Sequence, residues 1–457
     1  MTTQGLSPAE IRAWRPDPLP ADGAASIARA RARMAAAGQW ADWQMLGRRM
    51  AIGCVALEIT QRCNLDCAYC YLSESSQALA DIPLEEVFRR VDLIRAHYGP
   101  GTDVQVTGGD PTLRRRDELV AIVRYVRARG LRPSLFTNGI RATRGLLEEL
   151  AAAGLEDVAF HVDLTQGRNG YASEGALDAV RLEYIERARG LPLAVFFNTT
   201  VFPGNVHEVP ALARFFVAHC DVVRLASFQV GADTGRGTGR ARAAPDAGAV
   251  IEAIRTGTGA PLRFDAASAG HAACNRYALG LAINGRLYDF LDDPAFVQEV
   301  LHRTAGTSFG RARRARALAA MAGFLARHPR LLLGFGARAA RLAWRARRDL
   351  VAARGRIQKL SFFVHNFMDA AALDRSRCEA CSFMVMTPEG PLSMCVHNAK
   401  RDDYLLVPAA VGRAGRVQFF DPATGRLADR RPGRIEVVLD RRNARGRAKQ
   451  AFAPVRR

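Results

Sequence analysis

From Gly53 to about residue 230 the chain alternates short β-branched runs with amphipathic stretches, and no other feature restricts its fold as strongly. Runs at Cys54–Thr60, Asp103–Thr107, Arg132–Thr137, Asp157–Asp163, Leu193–Val201 and Asp221–Phe228 read as strands. Between them, about Leu84–Tyr98, Arg115–Arg129, Thr143–Ala153, Glu174–Arg189 and His207–His219 carry apolar residues at helical spacing. Glycines close several helices, as in RARG before the third strand and AAAG before the fourth. Strands that alternate with helices form parallel βαβ units. About 180 residues hold six such units, too few for the closed eightfold barrel. The expected fold is therefore α/β, a partial (β/α)6 TIM-type barrel with a C-terminal cysteine-rich extension and an inserted basic helical segment.

In barrels of this kind reactive groups stand at the carboxyl ends of the strands. The first strand runs into CNLDCAYC, which brings Cys63, Cys67 and Cys70 onto one loop. Clustered thiolates favour soft metals, zinc or iron–sulfur, and a disulfide would leave one cysteine over. Three cysteines also cannot close a four-ligand site, and an open position is what metal-assisted catalysis needs. The second strand ends in TGGDPTL, where Gly108 and Gly109 permit close approach of the backbone to a ligand and Pro111 fixes the turn. The third ends in Thr137, Asn138 and Gly139, the fourth in His161, Val162 and Asp163, and the fifth carries Asn198, Thr199 and Thr200. Each alone is ordinary turn chemistry. Together they occupy one rim.

Cys-x3-Cys-x2-Cys with an aromatic, Tyr69, before the last cysteine resembles the signature of the radical S-adenosylmethionine (radical SAM) enzymes. The resemblance implies that Cys63, Cys67 and Cys70 hold a 4Fe-4S cluster whose fourth iron is chelated by the amino and carboxylate groups of S-adenosyl-L-methionine. One electron would then cleave the sulfonium to methionine and a 5′-deoxyadenosyl radical that abstracts hydrogen from a substrate C–H bond. Gly108, Gly109, Asp110 and Pro111 match the family's Gly-Gly-Glu-Pro motif, with the shorter Asp110 in place of Glu, and would orient the methionine end. Tyr69, Asn138, Asp163 and Asn198 would complete the cofactor-binding set. The family needs a small electron donor such as flavodoxin or ferredoxin.

The nine cysteines are odd in number and clustered, which favours metal binding in a reducing compartment over a disulfide framework. A second group follows the barrel: Cys378 and Cys381, then Cys395 after a tight TPEG turn and a hairpin, with Cys274 as a fourth thiol. Four such ligands suit an auxiliary 4Fe-4S cluster or zinc, and His397 or His271 are alternative ligands. Auxiliary clusters in C-terminal extensions of the SPASM-like type are what the resemblance implies here. The GGDPTLR turn and the CEAC…PEGPLSMCVHN stretch are most similar to the tetraether-lipid synthase-like branch, which implies a lipid chain as substrate.

The formal net charge of +20 implies an anionic partner. Between Leu301 and Leu360 fourteen arginines and one lysine face a single acid, Asp349. Apolar residues recur at helical spacing through this segment, broken at Pro329, so two amphipathic helices with an arginine-covered face are expected within residues 303–358. Solvated packing helices and peripheral contact with an anionic membrane both fit that pattern. Nucleic acid is not expected, because no reading module or stacking platform is present. The loop GADTGRGTGRARAA, Gly231 to Ala244, reads as a lid or linker.

The expected organisation is an N-terminal helical arm over residues 1–50, with a helix from about Ala24 to Met50. A barrel over 51–240, an auxiliary-cluster region over 241–404 and a basic tail over 405–457 follow. With no signal peptide or membrane span legible, the expected location is cytoplasmic, at most peripheral to the inner face of the membrane. Two other functions remain open on sequence alone. One is a radical SAM enzyme modifying a peptide or small molecule; the other is a membrane-associated iron–sulfur protein for electron transfer or redox sensing.

Overall fold

The computed structural model describes residues 4–20, 25–236, 245–305, 307, 314–413, 415–433 and 435–452. Its centre is a sheet whose first six strands are β1 (Cys54–Thr60), β2 (Asp103–Gly108), β3 (Arg132–Thr137), β4 (Asp157–His161), β5 (Ala194–Val201) and β6 (Val223–Val230). All five neighbour pairings among them are parallel. The sixth strand starts two residues later than the sequence pattern implies. The reason is local: Val222 and Val223 donate back to the carbonyl of His219 and prolong the helix end into a turn.

The sheet continues on both flanks with strands from far along the chain. These are β7 (Asn275–Ile283), β8 (Arg286–Asp289), β9 (Gln358–Asn366), β10 (Phe383–Thr387) and β11 (Gly390–Ser393). Strand β9 pairs parallel to β6, and β10 pairs parallel to β1. The eleven strands run in the order β11-β10-β1-β2-β3-β4-β5-β6-β9-β7-β8. The six units expected from sequence thus become eight consecutive parallel strands. The curled sheet brings its two flanks together through rings: His365 on β9 lies 4.1 Å from Phe383 on β10, and Phe363 lies 6.2 Å from it. This is a partial TIM-type barrel whose unpaired flanks meet through aromatic contacts.

Alternation along each strand explains the hollow interior. On β1, Val55, Leu57 and Ile59 turn outward into the main core with Val87, Val91 and Ile94 of the helix Leu84–Tyr98. Ala56 and Glu58 turn inward, where Gln105, Thr107, Ser134, Ala159 and Ser227 join them around a cavity of about 460 Å³. A closed barrel fills its lumen with layers of bulky branched side chains. Here small and polar residues share the lumen with Phe136, Phe196, Leu225 and Phe363, and a cavity remains.

In the N-terminal arm the helix expected from about Ala24 to Met50 is shorter. It spans Ser26–Ala36 and stops before Gly38, whose φ of +66° breaks the helical path. The chain then folds back so closely that a Cβ at Gly47 would stand 2.4 Å from the Arg31 backbone. Upstream, Leu6 and Ile11 pack with Met368, Leu373, Cys378 and Cys395, so the arm braces the second cysteine group. Among the described residues four helices, Pro294–Arg303, Arg314–Arg327, Pro329–Arg345 and Arg347–Ala352, are inserted between β8 and β9, with the predicted break at Pro329. The insertion is tied down by Asp349, which accepts from Tyr288 at 2.6 Å and Asn284 at 3.2 Å. Beyond residue 405 the tail forms a three-stranded sheet, β12 (Ala409–Arg413), β13 (Arg416–Asp421) and β14 (Arg426–Ala428), then a short helix Gly446–Ala451. The barrel boundary expected near residue 240 and the second half of the Gly231–Ala244 loop lie outside the described residues.

Candidate metal and cofactor site

The loop after β1 carries Cys63, Cys67 and Cys70 to the mouth of the cavity, and all three line it. Backbone bonds hold the loop to the strand ends around it. Ala68 donates to the carbonyl of Thr165 at 2.8 Å, and the Cys63 amide donates to the Gln77 side chain at 3.0 Å. Asn138 donates to Asn64 at 2.6 Å and has Cys63 Sγ at 3.9 Å.

The surroundings of the loop perturb two of its thiols. Burial pushes the Cys63 thiol above its usual range, and Cys67 rises further through burial and repulsion from Cys70, Asp163 and Cys63. A cationic centre would favour the thiolate forms that this environment disfavours. A single zinc would draw its sulfurs to about 2.3 Å from one ion. A 4Fe-4S cluster spreads three thiolates around a larger body, and the donor set fits it.

The Gly-Gly turn packs closely on the start of the cysteine loop. Gly109 donates to the Thr60 carbonyl at 2.9 Å and Asp110 to the Arg62 carbonyl at 2.8 Å. A Cβ at Gly108 would stand 2.0 Å from the Thr60 oxygen, and one at Gly109 1.9 Å from that of Arg62. The glycines therefore let the turn press against the approach to the cysteine loop, while both also line the cavity. The Gly108 carbonyl accepts from Tyr71 at 2.9 Å.

Tyr69, Asn138 and Asn198 line the cavity with them. Asp110, Pro111 and Asp163 lie behind its wall. The Asp110 carboxylate is fully buried and accepts from Thr137 Oγ1 at 2.9 Å, Asn138 N at 2.8 Å and Thr112 N at 3.0 Å. Asp163 repeats the device two strands on, accepting from Thr165 N at 2.9 Å, Thr200 N at 2.8 Å and His161 Nε2 at 2.7 Å. Burial alone would raise the Asp163 carboxyl; His161 and these donors outweigh it and hold it down at about 2. Each is an Asp-x-Thr turn that latches one strand end to the next.

The structure brings Cys274, Cys378, Cys381 and Cys395 together beneath the N-terminal arm. Burial, then Cys381 and Cys274, push Cys378 up to about 12, and Cys395 rises well above the usual range through burial and the same group. Arg377 donates to Cys274 Sγ at 3.2 Å. His397 is fully buried beside Arg401 and Glu58, and burial holds it near 3. His271 approaches Ser376 at 3.3 Å.

Two features of the site were not read from the sequence. Arg401 crosses from the second cysteine group to make a buried ion pair with Glu58 at 2.6 Å. Glu58 interrupts the apolar run CVALEIT, and a charge in a buried strand signals a buried partner. Arg445, from the tail, lies over the first cysteine loop, donating to the carbonyl of Cys63 at 3.3 Å and to that of Leu65.

Comparison with known proteins bears on the barrel. Residues 57–216 match the family described as the Radical SAM superfamily. A 7,8-dihydro-6-hydroxymethylpterin dimethyltransferase of Methanocaldococcus jannaschii is 29% identical over 186 residues, covering 39% of this chain and 36% of the relative. A PqqA peptide cyclase of Xanthomonas campestris pv. campestris is 31% identical over 174 residues, covering 35% of this chain and 42% of the relative. The chain thus spans less than half the length of these curated relatives. The crystal structure of Streptococcus suis SuiB overlaps 44% of this chain and 45% of its own, at 14% identity and a TM-score of 0.33.

Proposed function

Since the chain belongs to the radical SAM superfamily through residues 57–216, we propose that it is a SPASM-like radical SAM enzyme that modifies a peptide or a small molecule. One observation carries the reading: three cysteines on one loop at the carboxyl ends of parallel strands, facing a cavity lined by every strand of the barrel. Cys63, Cys67 and Cys70 would hold the 4Fe-4S cluster. When bound, the cluster and S-adenosyl-L-methionine supply a one-electron cleavage of the sulfonium and a primary alkyl radical that takes hydrogen from substrate.

The protein's own part is positional. Gly108 and Gly109 offer backbone to the methionine end, and Tyr69, Asn138 and Asn198 offer side chains to the remainder. Asp110, Pro111 and Asp163 act through the strand ends they fix. Cys274, Cys378, Cys381 and Cys395 would hold an auxiliary 4Fe-4S cluster, with zinc as the alternative. A one-electron carrier of the flavodoxin or ferredoxin kind is the partner this chemistry requires.

The substrate class follows the curated relatives, which act on a peptide or a pterin by their names. They give a lipid chain no support, and no helix among the described residues is long and apolar enough to cross a membrane. The insertion does expose Leu332, Leu333 and Trp344 among arginines, which keeps peripheral contact with an anionic membrane as a secondary proposal.

Anaerobically reconstituted protein with a reductant should release 5′-deoxyadenosine, and Cys67→Ala should abolish that release while leaving the circular dichroism spectrum unchanged. Candidate peptides and small molecules deuterated at reactive carbons then identify the substrate by label transfer into deoxyadenosine. Undiminished release from Cys67→Ala would refute the assignment.

A further inference from the structure

The tail reaches back about 380 residues to the first cysteine loop, and its contacts there are specific. Arg445 is only 5% exposed. Its guanidinium donates to the Cys63 carbonyl at 3.3 Å, to Gln77 Oε1 at 3.4 Å and to the Leu65 carbonyl, and pairs with Asp66 at 3.7 Å. Its backbone amide donates to Glu74 at 3.1 Å, while Gly446 N reaches Asp66 at 3.2 Å and Lys449 Nζ approaches Asp66 at 3.5 Å. One further guanidinium atom, Nε, is buried without a partner.

We propose that Arg445 is a positioning residue of the cysteine loop and raises the reduction potential of the cluster the loop holds. The inference rests on the proposed function, since it presumes that cluster. Reduction adds one electron from the external carrier and makes or breaks no bond, so it makes the site more negative by one charge. A fixed cation nearby favours the product of that step. Burial keeps the effect strong, because solvent and salt screen a buried charge little. The three contacts to loop groups also set where the loop lies before iron arrives.

The test is an EPR-monitored redox titration of full-length, anaerobically purified wild type, Arg445→Gln and Arg445→Lys. The account predicts that at the wild-type midpoint the Gln variant holds about tenfold less reduced over oxidised cluster, equivalent to about 59 mV for one electron. Lys, which keeps the charge, should remain within about threefold of wild type. Equal midpoints for wild type and Gln, or an equal fall in Lys and Gln, would overturn the proposal. If the Gln variant binds no iron, amide hydrogen exchange in the iron-free proteins decides. Residues 63–70 exchanging at least about tenfold faster than in wild type would support the positioning role, and equal exchange would overturn it. Wild-type protein that holds no iron through Cys63, Cys67 and Cys70 would instead sink the proposed function, and this inference with it.

Discussion

Arg401 holds Glu58 by both carboxylate oxygens, at 2.7 and 2.6 Å, and so joins the segment after the second cysteine group to the strand before the first. Both side chains are almost wholly buried, and Arg401 also lies 4.6 Å over the ring of Tyr71, whose hydroxyl binds Gly108. Removing one partner of such a pair strands the other charge and costs about 3–5 kcal/mol, whereas replacing both by apolar residues is close to neutral. Arg401→Met should therefore destabilise the protein by about that amount in chemical denaturation, and adding Glu58→Met should recover most of the loss. No recovery in the double variant would contradict the account.

The same pair sets an acid limit. Burial alone would raise the Glu58 carboxyl, but Arg401 overrides it and lowers the group to about 2. A depressed carboxyl stabilises the fold above its unfolded value, and that contribution is lost as pH falls toward the folded one. Wild type should lose stability more steeply than Glu58→Gln between about pH 4.5 and pH 2. Parallel melting-temperature curves for the two would be inconsistent with a charged Glu58.

Asp157, at the opposite end of the barrel, should behave in the reverse sense. Burial raises its carboxyl to about 6, against one hydrogen bond from Ser134. The folded protein binds the extra proton between the unfolded value and about 6, so stability falls as pH rises through that window. Asp157→Asn removes the titration, and its melting temperature should gain on wild type from pH 5 to pH 7.5. A difference independent of pH would show that Asp157 is ionised in the fold.

The two Asp-x-Thr latches should matter for stability as much as for cofactor geometry. Asn in place of Asp110 offers one acceptor oxygen where the carboxylate offers two, and sets an amide against donors from Thr112, Thr137 or Asn138. An unsatisfied buried donor costs about 1–3 kcal/mol, so Asp110→Asn should lower stability by that amount even in protein without iron. Asn198→Ala, at the cavity wall, should cost less in iron-free protein and show its effect mainly on cosubstrate binding, measured by titration calorimetry.

Local signals carried the six central strands, because each run packs its outward residues on the helix beside it. They also placed Cys63, Cys67 and Cys70, since a strand end fixes where its loop begins. Strand β9 and the docking of the β10–β11 hairpin onto β1 escaped because the partners, β6 and β1, lie more than a hundred residues away and leave no mark in a local window. That Asp110 and Asp163 turn to the neighbouring strand ends and not into the cavity is settled by Thr137 and Thr200, which spacing does not reveal. Arg445 sits in a stretch whose composition reads as solvated tail. Only its contact with a loop about 380 residues distant gives it a role.

The central claim is that the first cysteine loop leaves one iron free for a sulfonium cosubstrate. EPR of the reduced protein with and without S-adenosyl-L-methionine tests it directly. One spectral component should change on addition of the cosubstrate, and that component should be missing from Cys67→Ala. A fully iron-loaded wild type whose spectrum stays the same on addition would contradict the account.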